Sequence, residues 1–345
     1  MAARSNILVC SGTGCLAGDS EKVAKNIELI IKARGYENEA NVIKTGCFGF
    51  CEKGPIVKVE PDNVFYVSVS PKDAKDIVDE HIIKGRVVER LLYKEPVKNE
   101  IVSRQEEMPF YKKQLRVALR NCGLINPEDI YEYIAFGGYE ALGKVLTSMT
   151  PEQVIDEIKK SGLRGRGGGG FPTGLKWEIT RKQQGPEKFI ICNADEGDPG
   201  AFMDRSILEG DPHSVIEAMA IGGYAIGANK GLIYIRAEYP LAIARLNIAI
   251  KQAKEHGLLG KNIFGTDFSF EIAIKFGAGA FVCGEETALI NSCEGKRGEP
   301  NYKPPYPAEE GYWGHPTCVN NVETFANITR SEEHTSELQS PDHLV

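Results

Sequence analysis

A dense run of glycines at positions 162–177 limits what this part of the chain can fold into. The run reads GLRGRGGGGFPTGLKW. Glycines lose more conformational entropy on folding than other residues, and that cost is compensated where backbone must approach a ligand closely. Gly165, Gly167 and Gly170 fit the pattern G-x-G-x-x-G, whose amides cradle phosphate groups. The run follows a predicted helix rather than a strand, so a flexible linker is the alternative interpretation.

Charged and aromatic residues in the same run favour a ligand. Arg164, Arg166 and Lys176 supply cations for a phosphate, and Phe171 supplies an aromatic face. The sequence before the run contains a helix start, with Thr150 as N-cap followed by Pro151 and with Gln153 at the capping-box position. After the run, strands predicted at 188–192 and 231–235 alternate with helices predicted at 214–226 and 241–256. This alternation predicts an α/β domain with a parallel sheet.

The first ninety residues predict a separate, smaller α/β unit. Hydrophobic spacing and turn residues give the order β-α-β-β-β-α, which fits a thioredoxin-like layer. The predicted strands are 6–9, 41–45, 55–60 and 64–69, and the predicted helices are 20–34 and 71–84. The expected domains are therefore 1–93 and 111–328, with a polar, proline-containing linker at 94–110.

Four cysteines in the first unit occur as two pairs on predicted loops. Cys10 and Cys15 are separated by four residues, and Cys47 and Cys51 by three. Two pairs of thiolates can hold a [2Fe–2S] cluster, and glycines beside them let backbone amides point at the sulfurs. A zinc site, two dithiols and buried thiols are the alternatives, although zinc ligands are usually spaced more closely.

Composition excludes several classes of function. The formal net charge of −7 argues against nucleic acid as the main partner, and no run of apolar residues is long enough for a membrane helix. We expect a cytoplasmic protein without a signal peptide.

The other five cysteines have no ligand-like spacing and are expected to be buried small residues: Cys122, Cys192, Cys283, Cys293 and Cys318. Among the histidines, His81 and His256 near predicted helix ends are expected to be at the surface or to interact with the helix dipole.

The part from about residue 111 to 328 resembles the flavoprotein (51-kDa, NADH-binding) subunit of complex I and its relatives in NAD(P)-linked iron hydrogenases and formate dehydrogenases. The resemblance lies in the glycine run and in further motifs, at 192–200 (CNADEGDPG), 262–267 (NIFGTD), 277–287 (GAGAFVCGEET), 303–307 (KPPYP) and 320–324 (NNVET). The first unit is similar to thioredoxin-like [2Fe–2S] ferredoxins and the 24-kDa subunit of complex I. These resemblances imply a thioredoxin-like ferredoxin domain followed by a Rossmann-like FMN- and NADH-binding domain.

The resemblance also implies which residues bind the cofactors. An FMN site would comprise Gly165, Arg166, Gly167, Gly168, Gly169, Lys176, Asn193, Asp195, Glu196, Asn320 and Asn321. An NAD(H) site would comprise Phe171, Asp198, Phe281, Lys303 and Tyr306. Glu285 and Glu286 would line the nicotinamide pocket near the flavin, although two acids in sequence could also be a solvated helix start. Asp198 and Phe281 stand where the family often has Glu and Tyr, which leaves NAD against NADP open.

The implied function is hydride exchange between NAD(P)(H) and FMN, with electrons passed singly to iron–sulfur clusters. The fused ferredoxin domain favours a soluble NAD(P)-linked hydrogenase, with electron bifurcation left open, and other iron–sulfur subunits as partners. Complex I or formate dehydrogenase, and a non-catalytic [2Fe–2S] carrier, are the alternatives.

The polar segment 329–345 resembles a translated sequencing adapter, so we expect it to be non-native. We expect it to replace a C-terminal part that would hold a [4Fe–4S] cluster.

Overall fold

The computed structural model describes residues 4–330, and they divide into two compact units, one ending at Pro127 and the other beginning at Glu128. The expected non-native tail, 329–345, lies outside the described residues except for its first two positions. Among the helices of residues 4–330, none combines the length and apolar character needed to cross a bilayer.

The first unit contains a four-stranded sheet in the order β2-β1-β3-β4. Strand β1 pairs in parallel with β2 and antiparallel with β3, and β3 pairs antiparallel with β4. The strands are β1 (Ser5–Cys10), β2 (Ala40–Thr45), β3 (Val57–Glu60) and β4 (Val64–Tyr66), and the first helices are α1 (Thr13–Ala17) and α2 (Ser20–Arg34). This is the predicted thioredoxin-like order, and it places the two cysteine pairs at or after the ends of the two parallel strands, β1 and β2.

The helix expected at 71–84 is shorter and partly irregular. It consists of α3 (Ala74–Asp76) continued by a wider π-type turn over Ile77–Ile82. Its residue His81 is buried, not at the surface as expected, because its ring hydrogen-bonds the Tyr66 hydroxyl at 2.8 Å and Asp62 at 3.1 Å. His256 is exposed, as expected.

Residues 93–127 pack with the first unit. Two short strands, β5 (Tyr93–Lys94) and β6 (Ile101–Val102), pair antiparallel within the segment expected to be a linker. Helix α4 (Pro109–Lys112) follows, and its Tyr111 lies in the same apolar cluster as Cys10 and Cys15. The segment 111–127, which the sequence assigned to the flavin domain, therefore belongs to the compact unit of the cysteines.

The second unit is built on a fully parallel sheet in the order β10-β7-β8-β9. Its strands are β7 (Phe189–Ala194), β8 (Lys230–Arg236), β9 (Glu271–Gly277) and β10 (Thr317–Asn321). Its helices are α5 (Ile130–Ala135), α6 (Glu140–Ser148), α7 (Pro151–Lys160), α8 (Thr173–Lys182), α9 (Met203–Gly210), α10 (Pro212–Ile226), α11 (Pro240–Glu255), α12 (Glu286–Cys293) and α13 (Val322–Ala326). The parallel α/β architecture is as predicted.

Local sequence explains the two elements that flank the glycine run. Helix α7 begins at the predicted capping box, in which Thr150 accepts from the Gln153 amide and the Gln153 side chain accepts from the Thr150 amide. Helix α8 begins at Thr173, inside the run, so its first turns contain the last five residues of the run. Its Trp177 is completely buried and donates from Nε1 to Asn320 at 2.9 Å. Residues 162–172 thus form a loop between α7 and α8, and α8 is tied to the end of β10 through Trp177.

Candidate functional site

The four paired cysteines lie together in the first unit. Cys10 ends β1, Cys15 lies in α1, and Cys47 and Cys51 belong to the loop after β2. The Cys10 thiol shares hydrogen bonds with Cys15 and with Cys47, and the Cys47 and Cys51 sulfurs are 3.8 Å apart. The bond with Cys15, together with burial, raises the pKa of Cys10 to about 12. The thiols therefore form one continuous group rather than two remote pairs.

Glycines lie close to these sulfurs and leave room beside them, and one of them donates to a sulfur. A Cβ on Gly54 would lie 2.7 Å from Cys15 Sγ, and one on Gly14 would lie 3.3 Å from Cys51 Sγ. The Gly49 amide donates to Cys47 Sγ at 3.3 Å. Among residues 4–330, no group of three or more His, Cys, Asp or Glu side chains is arranged to hold a single metal ion. Two pairs of thiolates, each holding one iron, are what a [2Fe–2S] cluster requires, and these residues fit it.

The second unit contains a cavity of about 650 Å³ at the carboxyl ends of β7 and β10. This edge of a parallel sheet is where α/β proteins usually bind ligands. The cavity is lined by the glycine loop, by α8 and by residues near the ends of β7 and β10. Its lining residues are Gly165, Gly167, Gly169, Gly170, Phe171, Lys176, Ile179, Asn193, Gly284, Glu286, Tyr306, Pro307, Ala308, Glu309, Thr317, Val319, Asn320, Asn321 and Thr324.

The glycine loop is an ordered turn with an open face. The Gly165 amide donates to the Phe171 carbonyl at 2.9 Å, and Arg164 Nε donates to the Gly170 carbonyl at 2.7 Å. Nothing lies within 4 Å of where a Cβ would stand on Gly168 or Gly169. Arg164 is thus used to close the loop, while the unsubstituted backbone at 168–169 faces open space that a ligand can approach.

Two lysines and two glutamates form a charged chain that begins at the lining residues Lys176 and Glu286. Lys176 Nζ donates to Glu286 at 3.2 Å and to the Val319 carbonyl at 3.0 Å. Lys303 Nζ donates to Glu286 at 3.0 Å and to Glu285 at 2.8 Å. Glu286 is therefore held between two ammonium groups, whose positive charge it partly neutralises.

Glu285 differs from its neighbour, because its side chain caps α12. It accepts from the amides of Thr287 at 2.8 Å and Ala288 at 3.0 Å, and also from the Thr287 hydroxyl. Burial disfavours its charge, but the bonds from Lys303 and from these groups outweigh burial and hold the pKa of Glu285 below its ordinary value. The helix-start interpretation therefore describes Glu285, whereas Glu286 lines the cavity.

The loop after β7 presents a buried carboxylate with unused acceptors. Asp195 is buried, and neither of its oxygens has a hydrogen-bond partner among the described residues; Arg236 lies 3.9 Å away. Burial raises the pKa of Asp195. Its neighbour Asn193 lines the cavity and donates to the Gly284 carbonyl at 2.9 Å. Orphaned acceptors at this position fit a ligand rich in hydroxyl donors, such as the ribityl chain of FMN.

Glu196 does not share this position, because it caps α9. Its two carboxylate oxygens accept from the amides of Asp204 at 3.0 Å and Arg205 at 3.2 Å. The structure therefore gives it a clear local role at the start of that helix.

The two asparagines at the end of β10 are both fixed by buried partners. Asn320 accepts from Trp177, and Asn321 donates to Asp204 at 2.6 Å while accepting from the Thr324 amide at 3.2 Å. Asn321 also lies against the glycine loop, since a Cβ on Gly167 would be 3.0 Å from Asn321 Cβ. Burial, with the nearby carboxylates of Glu196 and Glu323, raises the pKa of Asp204 to about 7.

The cavity brings together ten of the residues proposed from sequence. These are Gly165, Gly167, Gly169, Lys176, Asn193, Asn320, Asn321, Phe171, Tyr306 and Glu286. Eight others are not among its lining residues: Arg166, Gly168, Asp195, Glu196, Asp198, Phe281, Glu285 and Lys303. Phe281, at 67% exposed, begins a short 3₁₀ helix, and Asp198 lies on an exposed loop. The roles of all eighteen stay proposals.

Sequence reasoning missed several lining residues. Gly170 was in the quoted pattern, and Pro307 and Thr324 stood in quoted motifs, so those motifs could have supplied them. Ile179, Thr317 and Val319 gave no such signal, because they are ordinary residues on α8 and β10. Thr317 and Val319 reach the cavity because the sheet order places β10 beside β7, and Ile179 reaches it because α8 packs on β10. The five cysteines outside the paired motifs are all buried, as expected.

Comparisons with known proteins agree with this geometry. Residues 158–330 match the family described as the Nuo51 FMN-binding domain, and residues 2–81 match the thioredoxin-like [2Fe–2S] ferredoxin family. The NADP-reducing hydrogenase subunit HndC of Solidesulfovibrio fructosivorans is 70% identical over 217 residues, covering 63% of this chain and 44% of that protein. An NADH-quinone oxidoreductase subunit of Aquifex aeolicus is 55% identical over 214 residues, covering 62% of this chain and 50% of that protein.

A solved structure shows the same relationship over more of the chain. A crystal structure of an NAD+-reducing [NiFe]-hydrogenase in the H2-reduced state covers 96% of this chain and 53% of its own, with a TM-score of 0.53 and 27% identity. The chain spans about half the length of the curated relatives it matches. The chain carries a thioredoxin-like [2Fe–2S] ferredoxin domain and belongs to the family of the Nuo51 FMN-binding domain.

Proposed function

We propose that this protein is the flavoprotein part of an NAD(P)H:acceptor oxidoreductase, in which FMN occupies the 650 Å³ cavity. The observation that carries the proposal is the open glycine backbone facing a cavity that also holds Lys176 and the buried end of β10. Bound there, FMN supplies the exchange of a two-electron hydride for single electrons. The amides of the glycine loop, with Lys176, would hold the phosphate.

The remaining cavity residues would orient the two cofactors. Asp195 is not a lining residue but lies two positions after the lining residue Asn193, and it would accept from the ribityl hydroxyls, since both of its oxygens lack a hydrogen-bond partner among the described residues. Phe171 and Tyr306 are 44% and 54% exposed on the cavity wall, so their rings are available to stack on the bases of NAD(P)H. Glu286 would contact the nicotinamide side. Hydride transfer needs no protein acid or base, so these residues contribute orientation.

We propose that the partners are other iron–sulfur subunits of a soluble, NAD(P)-linked hydrogenase. The support is the 70% identity to a protein named as an NADP-reducing hydrogenase subunit, against 55% to a quinone oxidoreductase subunit. The nicotinamide substrate would place the activity in the cytoplasm. Association only with quinone-reductase subunits would contradict the hydrogenase assignment, and co-purification with a hydrogenase catalytic subunit would support it.

The test is anaerobic reconstitution of the full chain with FMN and iron–sulfide, followed by visible and EPR spectra before and after NADH or NADPH. Bleaching of the flavin band by either nucleotide, with a [2Fe–2S] signal on reduction, supports the proposal, and the faster nucleotide identifies the substrate. Lys176→Gln should weaken FMN binding, whereas Lys182→Gln, on the same helix but paired with Glu178 outside the cavity, should not. A cluster signal without any flavin binding would refute it and favour a simple electron carrier.

A further inference from the structure

Residues 109–125 form a clamp over the loop that carries Cys47 and Cys51. This clamp lies between the two segments that match known families, 2–81 and 158–330. It belongs nonetheless to the compact unit that holds the four cysteines. Its side chains hydrogen-bond backbone carbonyls of the cysteine loop. We therefore expect the clamp to affect the cluster rather than the flavin.

Arg116 connects the clamp to the first residue of the cysteine pair. One guanidinium nitrogen donates to the Cys47 carbonyl at 3.0 Å, and the other donates to the Cys122 carbonyl at 3.3 Å. Arg116 is half-buried. The positively charged Arg116 side chain is therefore hydrogen-bonded both to Cys47, a proposed cluster ligand, and to Cys122 near the end of the clamp.

Tyr111 and Gly123 hold the next residue of the loop, Phe48. The Tyr111 hydroxyl is buried and donates to the Phe48 carbonyl at 2.9 Å. A Cβ on Gly123, whose φ is +85°, would lie 2.6 Å from the Phe48 ring. The Gly123 amide also donates to Thr45 Oγ1 at 3.1 Å, and that hydroxyl donates to the Ile125 carbonyl at 2.7 Å. The clamp thus contacts the loop on both sides of Cys47.

We propose that Arg116 is a positioning residue of the [2Fe–2S] site, which fixes the 47–51 loop and raises the reduction potential of the cluster. Reduction adds one electron to a cluster that four thiolates already make negative, so a nearby cation stabilises the reduced form. Arg116 also holds Cys47 where the Gly49 amide donates to its sulfur, and such a bond favours reduction in the same direction. The inference rests on the cluster and is independent of FMN binding.

The test is an EPR-monitored dithionite titration of the full chain as wild type, Arg116→Gln and Arg116→Lys. Arg90→Gln is the matched control, because it removes the same charge from a residue paired with Asp73 and Asp76. We expect Arg116→Gln to shift the cluster potential to more negative values, Arg116→Lys to restore most of the shift, and Arg90→Gln to leave it unchanged. Equal potentials for Arg116→Gln and Arg90→Gln would overturn the proposal.

A second measurement covers the case in which Arg116→Gln retains no cluster. Amide hydrogen exchange of the cluster-free protein should be about fivefold faster across 47–51 in Arg116→Gln than in Arg90→Gln, as loss of one hydrogen bond predicts. Tyr111→Phe should speed exchange of the same amides without a change of charge. Unchanged exchange in Arg116→Gln would overturn the positioning role.

Discussion

Replacing Asp204 by Asn should make the second unit more stable at neutral pH. Asp204 is buried beside Glu196 and Glu323, and its pKa is raised from 3.8 to about 7. Between pH 4 and pH 7 the unfolded chain has lost this proton while the folded protein keeps it, so stability falls as pH rises across that window. The difference corresponds to about 4 kcal/mol that is present below pH 4 and absent above pH 7.

The asparagine variant cannot ionise, and its amide oxygen can still accept from Asn321. We therefore expect Asp204→Asn to exceed the wild type in stability at pH 8 by up to about 4 kcal/mol, and the gap to close toward pH 4. Urea unfolding followed by tryptophan fluorescence measures this unit, because both tryptophans of the chain, Trp177 and Trp313, lie in it.

Asp198→Asn is the matched control, since Asp198 is exposed in the loop that leads to α9. The flavin should be absent, so that binding does not add to stability. Parallel stability curves for Asp204→Asn and the wild type from pH 4 to pH 8 would refute the reasoning.

Three further changes test other parts of the structure. Glu217→Ala should destabilise the second unit by about 3 kcal/mol or more in urea unfolding, because this buried carboxylate accepts from the Tyr133 hydroxyl and from the amides of Tyr139 and Leu142. Glu217→Gln should show only part of this loss of stability. Equal losses in the two variants would contradict the account. Thr150→Ala should lower the free energy of unfolding of the second unit by about 1 kcal/mol, because the capping box is lost. The same urea unfolding measures it, and a stability equal to that of the wild type would contradict the prediction. Gly54→Ala should reduce the iron content of the purified protein, because the added methyl would lie 2.7 Å from Cys15 Sγ. Gly35→Ala is the control, because its methyl would have nothing within 4 Å although its φ of +75° is strained. This control should lower stability and leave the iron content unchanged.

Much of the candidate site was predictable because it is local in sequence. The glycine loop, the capping box at Thr150 and the paired cysteines are each set by neighbours a few residues apart, so motif spacing was enough to find them. The parallel α/β architecture followed from the alternation of strands and helices. The edges of elements were less certain, as the short, irregular helix near His81 shows.

Other features depend on contacts that no local pattern encodes. Glu285 and Glu286 are adjacent in sequence, but only the start of α12 and the positions of Lys176 and Lys303 give them different roles. The segment from 111 to 127 was assigned from sequence to the flavin-binding domain, yet Arg116 donates to the Cys47 carbonyl, 69 positions earlier in the chain.

The sequence by itself determined the two thiol pairs, the phosphate-binding type of glycine loop and the order of the strands and helices. These features depend on residue type and on geometry between residues that are close in sequence. The tertiary structure decided which side chains share a cavity, which carboxylates cap helices, and which segment holds the cysteine loop. Those outcomes depend on sheet order and packing, which bring β10 beside β7 and residues 109–125 against the cysteines.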